Sequence, residues 1–421
     1  QVWITGPGAC RPRAPRRRWA AQMVTEGSAS AVPAAAAAAT PPLPQQAVLF
    51  AMRECHAQLR ADVAQLQLRA LGRFADAVGL APQAQAGSAR GSSSFALMGR
   101  VRTHQDAVSG VCLTPADMVV TCSWDSWVRT FDLLDWCEGP SACPDAEAVR
   151  RQRPGSPLLA VAASPCCRGG LVGAGALDAR AWLWGPDGSC QDLRGHGGAV
   201  NDIDFHRTEK TVACTASADR KAMVWDLEVC SAIRTLEQHA GEVWRARFLS
   251  TVAYDKCLAT ASADGHVRLW DLRAQIMCCA LPAPTDQHLV VAAASAQHLL
   301  AAGTDRCTLA AWDLRTLRRL QHAQLAGCAA FDGEVTSMAF SPCGTMLALG
   351  SLTGAVLVVD LERGMRQLVC QHDSAVHGLA WGARWPRPGG QNADVPYLLC
   401  ASHDGSWSCW NAGGAFDAPG G

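Results

Sequence analysis

The sequence has no excess of charge of either sign, since 37 acidic residues balance 37 Lys and Arg residues over 421 positions. A protein whose whole surface binds nucleic acid or an anionic membrane carries a basic excess, so neither partner is predicted. Long apolar runs are also missing. The longest candidate, around 288–303, is interrupted by Gln297 and His298, so no membrane span is predicted.

The spacing typical of cysteine metal sites is absent. Twenty cysteines are present, yet no two follow the C-x-x-C spacing of zinc ribbons and thioredoxin-type sites. Their frequency is also below that of a disulfide scaffold. Several, including Cys112, Cys214 and Cys400, lie where a strand is expected to be buried. We interpret them as reduced thiols that act as small apolar side chains, and we predict neither a metal nor a cofactor.

Signatures of common enzyme classes are missing. The sequence contains no G-x-x-x-x-G-K, no G-x-G-x-x-G opening a helix, no G-x-S-x-G and no H-E-x-x-H. His403 stands between Ser402 and Asp404, but this trio is expected in a hairpin turn, where the side chain of His403 points away from both neighbours. We therefore predict no catalytic residue and interpret the chain as not being an enzyme.

The first 45 residues show no structural period. Residues 1–45 are rich in Arg, Pro and Ala, which is typical of a disordered tail, and residues 412–421 predict a second one. An Arg-rich, acid-poor start also fits an organelle transit peptide. The chain begins with Gln rather than Met, as a fragment of a longer protein would.

Residues 46–80 carry an apolar side chain every three or four positions, which predicts one amphipathic helix. The stripe consists of Met52, Cys55, Leu59, Val63, Leu66, Ala70 and Phe74. A helix with such a stripe packs either on the following domain or on a partner helix as a coiled coil. Residues 81–94, made largely of Gly, Ser, Ala and Gln, predict a flexible linker.

From residue 95 onward the sequence repeats. The segments 195–227 and 238–272 each contain a His, a Val four residues later, an S-x-D triplet, and a Trp six residues after the Asp. The same offsets recur in units beginning at His104 and His372, although Phe131 replaces the Trp of the former. These anchors recur together, which makes the signal more specific than any single dipeptide.

Three weaker copies fill the gaps, near 157–184, 287–314 and 331–361. In the first, Ala176 replaces the Ser, and in the last, Phe331 stands where the His is expected. Seven units spaced about 40–50 residues apart match the period of a four-stranded propeller blade. We expect the three weaker units to be held mainly by apolar packing.

The repeat resembles the WD40 repeat family over about residues 95–411. The resemblance implies an all-β, seven-bladed β-propeller in which Trp, Ser, His and Asp form one polar chain across a blade. Carried over by position, these structural tetrads are Trp225–Ser217–His196–Asp219, Trp270–Ser262–His239–Asp264 and Trp410–Ser402–His372–Asp404. A complete buried network of this kind stabilises and specifies the fold.

The seventh unit lacks its last strand, because the pattern stops near Trp410 and Asn411. Residues 95–101 precede the first unit in the register of a fourth strand. We therefore predict that this segment completes the seventh blade and closes the ring, which removes an open sheet edge. Residues 134–156 and 383–396 are predicted to be insertions that lengthen two connections.

With no catalytic signature, the predicted function is that of a protein–protein interaction scaffold. The face beside the His anchors is the expected binding surface, with five candidate partner-binding residues: Trp124, Asp106, Trp244, Asp373 and His403. Partners are expected to be other proteins, including a helical one through residues 46–80. The expected compartment is the cytoplasm or the nucleus.

Residues 258–273, LATASADGHVRLWDLR, also resemble the W-D-x-R box of WD40 substrate receptors in cullin-type ubiquitin ligases. This resemblance implies that Arg273, and then Arg315 in a poorer copy, contact the ligase adaptor. A helix ahead of a seven-bladed ring resembles a heterotrimeric G-protein beta subunit. The first repeat also resembles the propellers that end BEACH-domain proteins.

Overall fold

The computed structural model describes residues 95–133, 151–152, 155–166, 170–249, 256–274, 276–282, 288–294, 298–304, 308–324, 331, 334–360, 365–383 and 396–412. Within these ranges the chain forms 28 strands and no helix, so the all-β prediction is confirmed. The predicted tails, helix and linker at 1–94 and 413–421 lie outside the described residues.

The strands form seven antiparallel sheets of four, which we call blades 1 to 7. Blades 1 and 2 contain β2 Val108–Leu113, β3 Met118–Ser123, β4 Trp127–Asp132, β5 Arg151–Gln152, β6 Leu158–Ala163, β7 Val172–Ala176, β8 Arg180–Trp184 and β9 Cys190–Arg194. Blades 3 and 4 contain β10 Val200–Phe205, β11 Val212–Ser217, β12 Ala222–Asp226, β13 Ser231–Leu236, β14 Val243–Leu249, β15 Cys257–Ser262, β16 His266–Asp271 and β17 Ile276–Pro282.

Blades 5 and 6 contain β18 His288–Ala294, β19 Leu299–Thr304, β20 Thr308–Asp313, β21 Arg318–Gln324, β22 Val335–Phe340, β23 Met346–Ser351, β24 Ala355–Asp360 and β25 Met365–Gln371. Blade 7 contains β26 Val376–Gly382, β27 Tyr397–Ser402, β28 Ser406–Asn411 and β1 Ala96–Arg102. From the centre outwards we call the four strands of a blade a, b, c and d.

The ring closes as predicted, because the first strand of the chain completes the last blade. Strand β1 pairs antiparallel with β28, with Leu97 opposite Trp410 and Val101 opposite Trp407. The seven a strands contact one another in sequence around the ring, and β2 contacts β26 to complete the circle. The seven-bladed propeller is therefore confirmed.

Burial follows the order of the strands in a blade. The b strands are buried along nearly their whole length, as in β11 and β27, because a neighbouring blade covers each face. These strands use small and β-branched residues, and a Cβ added at Gly175 would lie 2.5 Å from the carbonyl oxygen of Val200 in the next blade. The d strands are the more exposed ones, as in β1 and β13.

Each a strand contains a β-bulge after its first residue, at the same register in all seven blades. At three of the bulges the extra side chain donates to a carbonyl of the next blade. Ser109 donates to Leu158 (2.6 Å), Asn201 to Val243 (3.0 Å) and Thr336 to Val376 (2.5 Å). These bonds join neighbouring blades at the centre of the ring.

Strand β5 lies inside the segment predicted as an insertion. It contains only Arg151–Gln152, which pair with Val128 and Trp127 of β4. The insertion is therefore part of the c–d connection of blade 1, and it also supplies the short outer strand of that blade.

Candidate partner-binding face

The central residue of the polar chain in blades 3 and 4 is a threonine. In blade 3, the Trp225 indole N–H donates to Thr215 Oγ1 at 2.8 Å, and His196 Nε2 lies 2.7 Å from the same oxygen. His196 Nδ1 is 2.8 Å from Asp219 Oδ2. An indole N–H can only donate and a carboxylate can only accept, so Thr215 accepts from Trp225 and His196 donates from Nδ1 to Asp219. In the neutral ring, Nε2 then accepts from the threonine hydroxyl.

Blade 4 repeats this arrangement with Trp270, Thr260, His239 and Asp264. The three distances are 2.8 Å for the indole, 2.7 Å for His239 Nε2 and 3.1 Å for His239 Nδ1. Thr215 and Thr260 therefore occupy the place in the network that was predicted for Ser217 and Ser262. Each threonine stands two residues before its serine, and this spacing was the sequence signal for the threonine.

The serines instead hold the turn between strands b and c. Ser217 accepts a hydrogen bond from the Asp219 amide at 3.1 Å and donates to the Gly198 carbonyl at 3.0 Å. Ser262 makes the equivalent bond to Gly241 at 3.0 Å. The serine therefore fixes the b–c turn against the loop that leads into strand a.

Blades 1 and 7 hold variants of this network. In blade 1, His104 contacts Thr121 at 2.8 Å and Asp125 at 2.9 Å, while Phe131 supplies no donor. In blade 7, Cys400 takes the threonine position. The bonds from Trp410 Nε1 and His372 Nε2 go to Ser408 instead, both at 2.9 Å. Ser402 again holds the turn, through Ser374 and Asp404.

Blade 6 fills the same positions with apolar side chains, as expected for a weaker unit. Phe331, Leu349 and Val359 occupy the His, Thr and Trp positions, and all three are buried. No hydroxyl is needed there, because no indole or imidazole has to be satisfied.

The networks fix the charges of their acidic members. Burial raises the pKa of Asp219, but hydrogen bonds from His196 and the Gly197 amide outweigh it and hold the pKa at about 2. The pKa of Asp264 is also held at about 2, against its burial, by bonds from the Ala240 amide and Arg268. Burial, with the charge of Arg268, lowers the pKa of His239 to about 4. At neutral pH the His239–Asp264 pair is therefore a neutral imidazole bonded to a carboxylate.

The d–a loops and the b–c turns leave the ring on one side, which we call the His face. In the six blades whose b–c turn the structure describes, the first residue of that turn makes the same backbone bond to the residue just before strand a. The bonds run from Trp124, Leu177, Ala218, Ala263, Leu352 and His403 to Ala107, Pro157, Ala199, Glu242, Glu334 and Ala375. Side chains at these turn positions therefore occupy equivalent places around the face.

Large apolar and aromatic residues occupy this position in four consecutive blades: 6, 7, 1 and 2. Leu352, Trp124 and Leu177 are 46%, 43% and 54% exposed, and His403 is half-buried between Leu352 and Trp124 in ring order. Blades 3 and 4 carry only Ala218 and Ala263 here. We call Leu352, His403, Trp124 and Leu177 the apolar arc.

An aromatic stack leads from the arc to the central channel. The ring of Trp124 meets His403 edge-on, with centroids 5.0 Å apart, and His403 stacks on His377 at 4.0 Å. Burial, with His403 and Arg245 nearby, lowers the pKa of His377 to about 3. Burial also lowers the pKa of His403, although Asp106 opposes it. Both imidazoles are therefore neutral at pH 7, so the stack is an uncharged surface.

Acidic side chains surround the arc. Asp106 and Asp178 are exposed in blades 1 and 2, and the side chain of Asp373 in blade 7 is 86% exposed, 3.2 Å from Arg100. Asp106 and His403 are near enough for the carboxylate to affect the imidazole. The predicted residues Trp124, Asp106, His403 and Asp373 thus lie on one side of the ring. Leu177 and Leu352, on the same side, were not among the predicted partner-binding residues.

The remaining predicted residues lie elsewhere. Trp244 is in blade 4, three blades from Trp124, and its buried indole N–H has no acceptor among the residues that the structure describes. Arg273 and Arg315 follow strands c of blades 4 and 5, on the face opposite the His anchors. Arg273 is exposed, whereas Arg315 forms two bonds to Asp313, at 3.1 and 3.2 Å.

The central channel holds paired charges. Asp202, nearly fully buried, forms ion pairs with Arg247 and, at 3.4 Å, with Arg245. Arg245 also reaches across the channel to the His377 carbonyl at 3.5 Å. This carboxylate is therefore neutralised by its neighbours, and these contacts join blades 3, 4 and 7.

Among the described residues, no helical segment has the length and hydrophobicity needed to cross a bilayer.

Comparison with known proteins gives matches to one repeat family. The family model "WD domain, G-beta repeat" matches residues 96–132, 188–226, 230–271 and 324–360. The first of these matches runs from strand d of blade 7 through strands a, b and c of blade 1, the unit that closes the ring.

Similar curated proteins share short parts of their length with this chain. It is 23% identical to protein tipD of Dictyostelium discoideum over 52% of this chain and 34% of tipD. It is 38% identical to mitochondrial division protein 1 of Pyricularia oryzae over 21% of this chain and 12% of that protein. Pre-mRNA-splicing factor cwf17 of Schizosaccharomyces pombe is 27% identical over 35% of this chain and 43% of its own.

The chain therefore spans less than half the length of each of these relatives. The four matched segments show that the chain contains WD40 repeats, and the seven blades with their closing strand show that it folds as a seven-bladed propeller.

Proposed function

We propose that this chain is a non-catalytic interaction scaffold that binds a protein partner through the apolar arc of the His face. The observation that carries the proposal is the run of apolar and aromatic side chains at one turn position in blades 6, 7, 1 and 2, of which three are exposed and His403 is half-buried. A fold of this type serves many functions, so the function is inferred from this surface and not from the propeller alone.

The arc has the physical properties of a binding hot spot. Trp124 is exposed at 43% and is held by His403, so a partner gains apolar contact without having to order this side chain. Leu352, Trp124 and Leu177 recur at equivalent turn positions, so they lie in one sector of the face and are not scattered over it.

The charges beside the arc indicate the chemistry of the partner. Asp106 and Asp178 are exposed in two blades of the arc, Asp106 acts on the neutral ring of His403, and Asp373 is exposed beside Arg100. A segment with apolar side chains flanked by Lys or Arg would complement this surface. The relatives bear names from separate processes, mitochondrial division and pre-mRNA splicing, which suits a platform better than one conserved reaction.

The proposal is tested by cross-linking from the arc. A photoreactive amino acid at position 177, in the full chain expressed in cells, should capture a partner that the same group at position 229 does not. Val229 is a suitable control because it is 50% exposed in a c–d turn, on the other face of the ring. The captured protein is then identified and purified.

Affinity for that purified partner supplies the decisive measurement. We expect Trp124→Ala to weaken binding by about 30-fold or more, as truncation of an aromatic hot spot does. Val229→Ala should change the affinity by less than about twofold. Equal capture at both positions, or unchanged affinity of Trp124→Ala, would show that the partner binds elsewhere.

A second candidate function is that of a cullin-type ligase substrate receptor, which the W-D-x-R box at 258–273 favours. Arg273 follows Trp270, Asp271 and Leu272 and is exposed, as an adaptor contact must be. Since Arg315 is paired with Asp313, we expect Arg273→Ala to abolish adaptor binding and Arg315→Ala to leave it intact. Adaptor binding that survives Arg273→Ala would exclude this function.

Four further interpretations stay predictions: a helical partner through residues 46–80, a cytoplasmic or nuclear compartment, a G-protein-beta-like role and a BEACH-type context. The first concerns residues outside the described ranges. Binding measured with the full chain and with a chain lacking residues 46–80 separates a partner of the helix from a partner of the propeller.

A further inference from the structure

The seam between blades 6 and 7 brings together two cysteines and a histidine. Cys370 comes from strand d of blade 6, Cys400 from strand b of blade 7, and His372 from the loop between the blades. All three residues are buried, at 9%, 0% and 3% exposure. One ligand atom from each lies within 4.8 Å of the other two.

Both cysteines depart from the pattern of the other blades. Cys370 pairs with Val356 of strand c, and the matching d-strand position is Leu193 in blade 2 and Leu236 in blade 3. Cys400 replaces the threonine that contacts the histidine in blades 1, 3 and 4. At this seam, a cysteine thus replaces the usual leucine at one position and the usual threonine at the other, and both cysteines lie beside one imidazole.

The histidine also departs from the pattern. His372 Nδ1 is 3.5 Å from Asp404, against 2.8 Å for His196 and its aspartate, and this buried nitrogen has no hydrogen-bond partner among the described residues. Asp404 is engaged by Arg100 and by the Ser406 amide. One ring nitrogen of a buried histidine therefore lacks the short bond to a carboxylate found in the other blades, and its imidazole lies beside the Cys370 sulfur.

We propose that Cys370, His372 and Cys400 bind a thiophilic metal ion, with Zn²⁺ as the expected occupant. Zn²⁺ is held by Cys sulfur and His nitrogen, and a set of two cysteines and one histidine leaves a fourth position for water or another oxygen. The Ser408 hydroxyl, 2.9 Å from His372 Nε2, would hold the ring in place while Nδ1 binds the ion.

The geometry and charge of the site suit this ion. Zinc–ligand bonds of about 2.0–2.3 Å in a tetrahedron place the ligand atoms about 3.3–3.8 Å apart. The three ligand atoms lie within 4.8 Å of one another here, so an approach of about 1 Å is enough. Two thiolates and Zn²⁺ together are neutral, which avoids a buried net charge. Binding releases the thiol protons to solvent and involves no redox change.

The consequence would be a link across the seam between blade 6 and the blade that contains the closing strand. Blade 7 contains the first strand of the chain, and the metal would join its strand b to strand d of blade 6. An ion that binds only the folded chain raises its stability in proportion to the logarithm of the free ion concentration. No metal site was predicted from the sequence, because these three ligands have no C-x-x-C spacing and converge only through the fold.

The experiment titrates the purified, chelator-treated full chain with Co²⁺ and Zn²⁺. We expect one Co²⁺ per chain with the absorption of a tetrahedral thiolate site, displacement by one Zn²⁺, and a melting temperature that rises with added Zn²⁺. The test variant is the double substitution Cys370→Leu and Cys400→Thr. It restores the residues found at the equivalent positions of other blades, so it is expected to fold.

The double variant should lose both the absorption band and the Zn²⁺-dependent rise in melting temperature. Cys190→Ser, which removes an exposed cysteine outside the site, should keep both. Three results would overturn the proposal. They are no saturable Co²⁺ band, a band of equal strength in the double variant, or a Cys370–Cys400 disulfide that persists in protein purified under reducing conditions.

Discussion

Two threonines, Thr215 and Thr260, each serve two buried aromatic side chains at once. Their hydroxyls accept from an indole and bond to an imidazole nitrogen, and both residues are fully buried. A buried indole N–H and an imidazole nitrogen are costly without partners, so one hydroxyl at this point supports the interior of a whole blade.

Substituting Thr215 with Val should therefore destabilise the protein more than its small change in shape suggests. The change keeps the volume but leaves Trp225 Nε1 and His196 Nε2 without a partner. We expect the free energy of unfolding to fall by about 2–3 kcal/mol, as urea denaturation followed by tryptophan fluorescence would measure.

Thr215→Ser is the matched control, because it keeps the hydroxyl and removes only a methyl group. Its cost should be about 1 kcal/mol. Should Ser217→Ala prove more damaging than Thr215→Val, the serine, and not the threonine, would be the centre of the network.

The anchors that could be predicted from sequence are those with fixed offsets. His196, Asp219 and Trp225 recur together and are rare enough to stand out, whereas threonine is common in strands and carries no such signal. Leu177 was missed because Ala176 and not Ser precedes it, and Leu352 because Thr353 and not Asp follows it. The nearness of Cys370 to Cys400 depends on two blades packing and cannot be read from spacing.

At the level of elements, the closing strand β1 is unusual because its own side chains are mainly exposed. Most of its residues face solvent, and it is held by backbone pairing with β28. The buried contact is made by Phe95, just before the strand, which is 7% exposed and lies 6.4 Å from the ring of Trp381. The apolar anchor of the closure is therefore one residue outside the strand.

Phe95→Ala should weaken the closure of the ring. Loss of a buried phenylalanine leaves a cavity between blades 6 and 7, and the expected cost is about 3 kcal/mol in the free energy of unfolding. Leu97→Ala, at a 51% exposed position in the same strand, should change it by less than about 0.5 kcal/mol. Similar effects of both substitutions, measured by thermal and urea unfolding, would argue against Phe95 as the anchor.

The number of blades and the closure could be predicted because each unit leaves a countable set of anchors and the seventh lacks one strand. Strand β5 could not, because Arg151–Gln152 lie in a segment without alternation or anchors, and only pairing with β4 defines them. A short polar strand at the edge of a sheet is held by its partner's backbone more than by its own sequence.

Over the whole molecule, several histidines are buried in a neutral state, which makes stability depend on pH. Burial lowers the pKa of His104, lowers that of His239 to about 4, and lowers that of His377 to about 3. In the unfolded chain these groups titrate near their ordinary value of about 6.5. Between these limits the unfolded state binds more protons than the folded state, so stability falls as the pH falls.

The expected profile has two stages. Stability is complete above about pH 7 and decreases from about pH 6.5 towards pH 4, with a loss of about 2 kcal/mol at pH 5 for a histidine such as His239. Below about pH 3.9 the depressed carboxylates, Asp219 and Asp264, cause a second loss that continues towards their folded pKa of about 2.

Melting temperatures at pH 7.5, 6, 5 and 4 and constant ionic strength would measure the first stage of this profile. His377→Gln replaces one buried imidazole with a side chain that does not titrate, so its melting temperature should fall less steeply between pH 6.5 and 4. A parent protein equally stable at pH 7.5 and pH 5 would mean that these histidines take up protons as readily in the folded ring as in the open chain. That result would contradict the buried, uncharged imidazoles on which both the polar networks and the aromatic stack of the His face depend.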